Sequence, residues 1–186
     1  TPILYNHDVD VVVLKNSHKL AYRAITKEGS DAVYPFGCGI YQWAVTYSDI
    51  LLDKFLSSHD GTDADYEVLK DAKVRIPSSI GWGQMITKSC EISAGLWNEE
   101  FLSWGAEDCE FYYRLNLFGF KVGRVIDDIY HFEHGRTFNS HYHNPKFQDN
   151  DRLWNWIRTQ DKESLTQYYG KLDYIKRRGK ELNASL

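Results

Sequence analysis

Residues 3–5 and 9–14 are almost all apolar and often β-branched, the pattern of strands buried on both faces, interrupted by the polar Asn6, His7 and Asp8. Ser17 stands where a hydroxyl can cap a helix and predicts a short one running to about residue 26. Residues 32–43 read as strand and turn, with Gly37 and Gly39 marking bends or close backbone approach. A short amphipathic helix follows over 48–56, then a polar, acidic stretch over 57–72 that reads as a mobile surface loop. Residues 80–86 predict a strand with glycine kinks, 87–94 a helix ended by Gly95, and 106–118 a stronger helix stopped by Gly119. Short strands over 121–126 and 129–132 precede a polar, His-rich loop over 135–149, and 151–180 is largely helical with a basic end. Strands alternating with helices predict an α/β fold around a mixed sheet. A first strand that runs into an acidic motif normally follows earlier βα units. The pattern therefore predicts an N-terminal part ahead of residue 1.

Composition narrows the function classes. The 186 residues are 42% hydrophobic and 26% charged, which excludes a disordered or collagen-like chain. No apolar run approaches the roughly 18 residues of a membrane span, and the opening residues lack the regions of a signal peptide. With a net charge of −4 and scattered Lys and Arg, the chain has no basic face for nucleic acid. Cys38, Cys90 and Cys109 form no CxxC pair and read as buried thiols of a reducing compartment, which predicts a cytoplasmic protein. Aromatic residues make up 15%; they fill core or, exposed, offer faces on which sugar rings stack.

Three constellations can carry chemistry. Asp8-Val9-Asp10 alternates two carboxylates around an apolar residue at a strand edge, where both can point out of the core. Such hard oxygen donors suit Mg²⁺ or Mn²⁺ bridging a diphosphate; the alternative is a solvated turn between strands. Trp104-Gly105-Ala106-Glu107-Asp108 puts two carboxylates into the first turn of the 106–118 helix, where the macrodipole favours negative charge. They either cap the helix or keep a general base ionised. His131-Phe132-Glu133-His134 spaces two imidazoles so that both can reach one metal at a strand end; the alternative is a partly buried His pair. His141 and His143, further along, read as surface residues.

Taken together and in this order, the three resemble the metal-dependent β-1,4-galactosyltransferase family, whose members have the GT-A glycosyltransferase fold. The likeness runs from about residue 3 to 153 and rests on Asp8-Val9-Asp10, on Ile80-Gly81-Trp82-Gly83, on the segment 94–108 ending in Trp104-Gly105-Ala106-Glu107-Asp108, and on His131-Phe132-Glu133-His134. Asn144-Pro145 is similar to the family's downstream loop. Ala106 replaces a family glycine, Cys109 replaces a third acid, and His131 replaces a thioether ligand, a harder donor that can change metal preference. The resemblance implies the C-terminal part of a GT-A domain over residues 1–150, lacking its N-terminal nucleotide-binding units, and a helical extension over 151–186.

It further implies a metal-dependent inverting transferase that moves a hexose or N-acetylhexosamine from a UDP-sugar to a glycan hydroxyl. Asp10, His134 and His131 would hold a divalent metal, Mn²⁺ first and Mg²⁺ second, with Asp8 in support. Asp108 would be the general base, and Glu107 would bond sugar hydroxyls. Trp104, Trp82 and Gly83 would line the substrate, with either tryptophan alternatively part of the core. Arg136 would hold phosphate or simply be an exposed loop residue, and the loop 135–149 would close over donor and metal. The competing readings are a metal hydrolase, disfavoured by the lack of HExxH, and a non-catalytic sugar- or partner-binding module derived from a transferase. The basic stretch 176–180 is a solvated helix end or a patch for a membrane's inner face, and Asn183-Ala184-Ser185 is a sequon. A lumenal, Golgi-type location stays open, and an exposed sheet edge would favour self-association.

Overall fold

A computed structural model of the chain describes residues 2–46, 48–58, 66–70, 73–75 and 80–184. The fold is mixed α/β, and the chain divides into two compact units. One comprises Ile3–Ile86 and Lys121–Gly135 and holds the sheets; the other, mainly Thr87–Phe120 and Arg136–Leu186, is helical.

The sheet-bearing unit contains β1 (Ile3–His7), β2 (Val11–Val13), α1 (Lys15–Thr26), β3 (Ala32–Tyr34), β4 (Gln42–Thr46), α2 (Asp49–Ser58), α3 (Glu67–Lys70), β5 (Lys73–Arg75), β6 (Gly83–Thr87), β7 (Val122–Arg124) and β8 (Ile129–Glu133). The sequence predicts one mixed sheet; the strands instead form two, ordered β1-β6-β3-β7 and β2-β8-β4-β5. The break falls at Asp8–Asp10. Val9 is fully exposed there, and the chain leaves one sheet and enters the other through a turn. β1 therefore has an exposed second half and is not the doubly buried strand its apolar start suggests.

Each sheet packs helices on one face. Ala21 and Ile25 of α1 bury against Val33 and Met85. On the second sheet, Tyr130 and Phe132 of β8 bury against Val45, Phe55 and Leu69. Because side chains alternate across a strand, burying Tyr130 and Phe132 sends His131 and Glu133 to the opposite face. Ser17 does not cap α1, which starts at Lys15. It is buried, and its hydroxyl donates to Asp127 Oδ2 at 2.6 Å, since a hydroxyl inside the fold needs a partner.

The helical unit contains α4 (Lys88–Ser93), α5 (Glu107–Phe118), α6 (Phe147–Ile157), α7 (Lys162–Lys171) and α8 (Asp173–Ala184). Thr87 caps α4, and Gly119, in the left-handed region at φ 87°, ends α5 as its sequence predicts. Phe101, Ile157, Leu165 and Tyr169 form the core. Beside it, Arg114 and Glu110 pair with both side chains fully buried. Arg114 also donates to the carbonyls of Ala94 and Leu96, and Tyr169 donates to Glu110 at 2.5 Å. Every charge is thereby bonded, which is what makes a buried ion pair tolerable. Leu96 is held at φ 59°, a backbone conformation that costs a non-glycine residue energy, directly at the carbonyl that Arg114 grips.

The reading of the thiols changes. Only Cys90 is a buried thiol; Cys38 and Cys109 are exposed. Arg177 and Arg178 of the basic stretch both bond Glu99, so these two charges are satisfied within the helical unit. No helix among the described residues is long and apolar enough to cross a membrane. Most of the loop expected over 57–72, and the serine of the sequon, lie outside the described residues.

Candidate metal centre and acidic helix start

Asp10, His131 and His134 converge. One ligand atom from each lies within 4.8 Å of the other two. The antiparallel pairing of β2 with β8 sets Val11 opposite His131, and Phe132 N–H donates to the Asp10 carbonyl at 2.8 Å. The backbone ladder itself thus carries Asp10 to the two histidines. Asp10 Oδ2 is 2.9 Å from His134 Nε2 and 3.5 Å from His131 Nε2.

The other ring nitrogens are occupied. His134 Nδ1 lies 3.0 Å from the Gly135 carbonyl, which can only accept, so Nδ1 carries a proton. His131 Nδ1 lies 3.0 Å from Glu133 Oε1. Both imidazoles therefore turn Nε2 toward the same carboxylate oxygen. Three acceptors this close repel one another unless a proton or a cation lies among them. The donor set, two imidazoles and one carboxylate, suits Mn²⁺, Fe²⁺, Co²⁺ or Zn²⁺ better than Mg²⁺, which prefers oxygen and water. Three protein ligands leave coordination positions open, as a catalytic site does and a closed structural zinc site does not. His134 is 53% exposed, so the site is reachable from solvent.

Asp8 is a neighbour and falls outside the convergent group. Its N–H bonds the Trp82 carbonyl at 3.3 Å. Burial raises the Asp8 carboxyl pKa, the charge of Asp10 raises it further, and His131 and His7 pull it down. Trp82 is nearly buried, with its ring stacked on His131 at 5.2 Å and 16°. Its face is thus occupied by a metal-ligand candidate. Gly83, at the start of β6, is buried beside His7 and Tyr5.

Glu107, Asp108, Trp104 and Arg136 belong to the helical unit. Glu107 and Asp108 occupy the first turn of α5, whose Ncap residue Ala106 offers no side-chain cap. The helix dipole stabilises their charge. Both act on Cys109: although the residue is exposed, partial desolvation raises its thiol pKa most, followed by Asp108 and Glu107. Trp104 is 37% exposed and stacks one face on Phe147 at 5.5 Å. Arg136 is exposed.

The loop over 135–149 is docked on the Trp104 segment. Trp104 N–H and the Ser103 hydroxyl both donate to the Asn139 carbonyl, at 3.4 and 2.8 Å. Asn144 Nδ2 donates to the Trp104 carbonyl at 3.2 Å. Asn150, on α6, donates to the carbonyls of Leu102 and Trp104 and accepts from Leu102 N–H. Sequence reading overlooked Asn150 and Glu133. Glu133 was legible, because residues two apart on a strand share a face with His131. Asn150 gives no local signal; its partners lie 46 to 48 positions away.

The chain matches no protein-family model and no curated protein.

Proposed function

We propose that the chain belongs to a GT-A-type, metal-dependent inverting glycosyltransferase that uses a UDP-sugar donor and a glycan hydroxyl as acceptor. The observation that carries this reading is the convergence of Asp10, His131 and His134. The motif likeness named these same three residues as ligands, although Asp10 lies more than 120 positions before the two histidines in sequence. The mixed sheets flanked by helices are compatible with it.

A divalent cation, when bound, supplies positive charge to the diphosphate that leaves with the nucleotide. Asp10, His131 and His134 hold it, and Asp8 supports Asp10. Asp108 accepts the proton of the acceptor hydroxyl as that oxygen bonds to the anomeric carbon. The bond from that carbon to the phosphate oxygen breaks on the opposite face, so the configuration inverts and UDP departs. Glu107 accepts hydrogen bonds from sugar hydroxyls. Trp104, partly exposed, offers its ring to a sugar, and Arg136 offers charge to phosphate. Trp82 acts from behind His131 and not as an open platform.

The test is hydrolysis-corrected transfer from a panel of UDP-sugars to oligosaccharide acceptors with Mn²⁺, using the chain and its Asp108→Asn variant. Mn²⁺-dependent transfer that the variant loses supports the reading. Saccharide binding with no transfer from any donor supports the binding-module reading instead.

A further inference from the structure

The two histidines of the centre are held very differently. His131 is 16% exposed, and its Nδ1 faces Glu133 Oε1 at 3.0 Å. One face of its ring stacks on Trp82, which is itself packed at 6.3 Å from the fully buried Phe36. The carboxylate and the indole thus restrain both the proton and the plane of this imidazole. His134 is 53% exposed, and its Nδ1 faces the carbonyl of the next residue.

We propose that Glu133 is a positioning residue that fixes His131 as its Nδ1–H tautomer, with Trp82 locking the ring plane. His131 then presents a preset Nε2 donor beside Asp10, and His134 is the adjustable ligand that completes the centre. The inference rests on the metal reading and assigns to it a residue and an order of assembly. An ionised carboxylate can only accept, so its partner nitrogen must carry the proton. The same bond raises the electron density at Nε2 and removes the cost of choosing a tautomer when a cation arrives. Such partners are worth about 10- to 100-fold in metal affinity. The strand makes the arrangement obligatory. Burying Tyr130 and Phe132 places His131 and Glu133 together on the other face of β8, whatever occupies the site.

Two measurements test this. The first needs no metal: ¹⁵N–¹H correlation spectra of the imidazole nitrogens, at a pH where the rings are neutral. The expected result is a protonated Nδ1 and a bare Nε2 at His131. Glu133→Ala should move it to the Nε2–H form that free imidazoles prefer, and Glu133→Gln should restore the Nδ1–H form. The second is calorimetric titration with Mn²⁺. Glu133→Ala should bind about 10- to 100-fold more weakly at an unchanged melting temperature, with Glu133→Gln in between. An Nε2–H tautomer in the unaltered chain overturns the proposal. So does a Glu133→Ala variant with unchanged tautomer and affinity. If Mn²⁺ binds none of the proteins, the metal reading falls, and the spectra alone still decide what Glu133 does to His131.

Discussion

Gly105 and Asn150 are matched in shape. A Cβ on Gly105 would sit 2.7 Å from the Cβ and 2.9 Å from the Cγ of Asn150, closer than side-chain atoms approach. Asn150 is almost wholly buried, and its amide bonds both polar groups of Leu102 and the carbonyl of Trp104. Between them Ser103 is held at φ 64°, in the left-handed region. The turn that launches α5 and its acidic start is therefore braced from α6. Gly105→Ala should destabilise the chain by about 1–3 kcal/mol through overpacking. Asn150→Ala should cost about 1–3 kcal/mol by leaving buried backbone groups unpaired. The Gly105→Ala/Asn150→Ala double variant should lose less than the sum, because the second change makes room for the first. Urea unfolding of the four proteins measures the coupling; strict additivity would mean the two residues are independent.

The Arg114–Glu110 pair should behave as an all-or-none device. Arg114→Met leaves a buried carboxylate without its partner and should cost about 3–5 kcal/mol. Replacing both, as Arg114→Met/Glu110→Leu, should recover much of that loss. Thermal unfolding distinguishes this from a surface pair, whose single variants would cost under about 1 kcal/mol.

Much of the architecture was legible because local signals and packing agree. Gly119 stops α5, the helix read over 87–94 is α4, and the helix read over 48–56 spans Asp49–Ser58. Residue type and spacing raised Asp8 and Asp10, and His131 and His134, as separate pairs; the family resemblance joined Asp10, His131 and His134 into one ligand set. What the pattern could not supply was pairing. It gave no sign that the chain changes sheets at Val9, because hydrophobicity along one strand does not say which strand lies beside it. Ser17 misled for a related reason. A hydroxyl near a helix start reads as a cap, and only the fold reveals Asp127 across from it.

Cys109 reports on the acidic helix start without substrate or metal. Partial desolvation raises its thiol pKa, and Asp108 and Glu107 add to the effect. The thiolate is the nucleophile, so Asp108→Asn should speed alkylation of Cys109 by iodoacetamide near neutral pH. Mass spectrometry resolves the three cysteines. An unchanged rate at Cys109 would mean that Asp108 carries no charge there.

Asp161 caps α7 by accepting from Ser164 N–H at 2.8 Å, and these bonds lower its pKa below the ordinary carboxylate value. The unfolded chain then binds more protons than the folded one in the acid range, so stability rises with pH there. Asp161's contribution is present above the ordinary carboxylate pKa and is lost as pH falls through its lowered folded value. Asp161→Asn keeps a cap but cannot titrate. Its acid-unfolding curve should be shallower than that of the unaltered chain, and two superimposable curves would contradict the assignment.

If Asp10, His131 and His134 form one divalent-cation site, isothermal titration with Mn²⁺ will show it. The predicted result is one site per chain, with proton release in buffers of differing ionisation enthalpy, lost in both Asp10→Ala and His134→Ala while each stays folded. UDP added afterwards should bind only where the metal has bound. No Mn²⁺ binding by the unaltered chain, or undiminished binding by both variants, would contradict the account and leave the close approach of His134 to Asp10 as an ordinary ion pair.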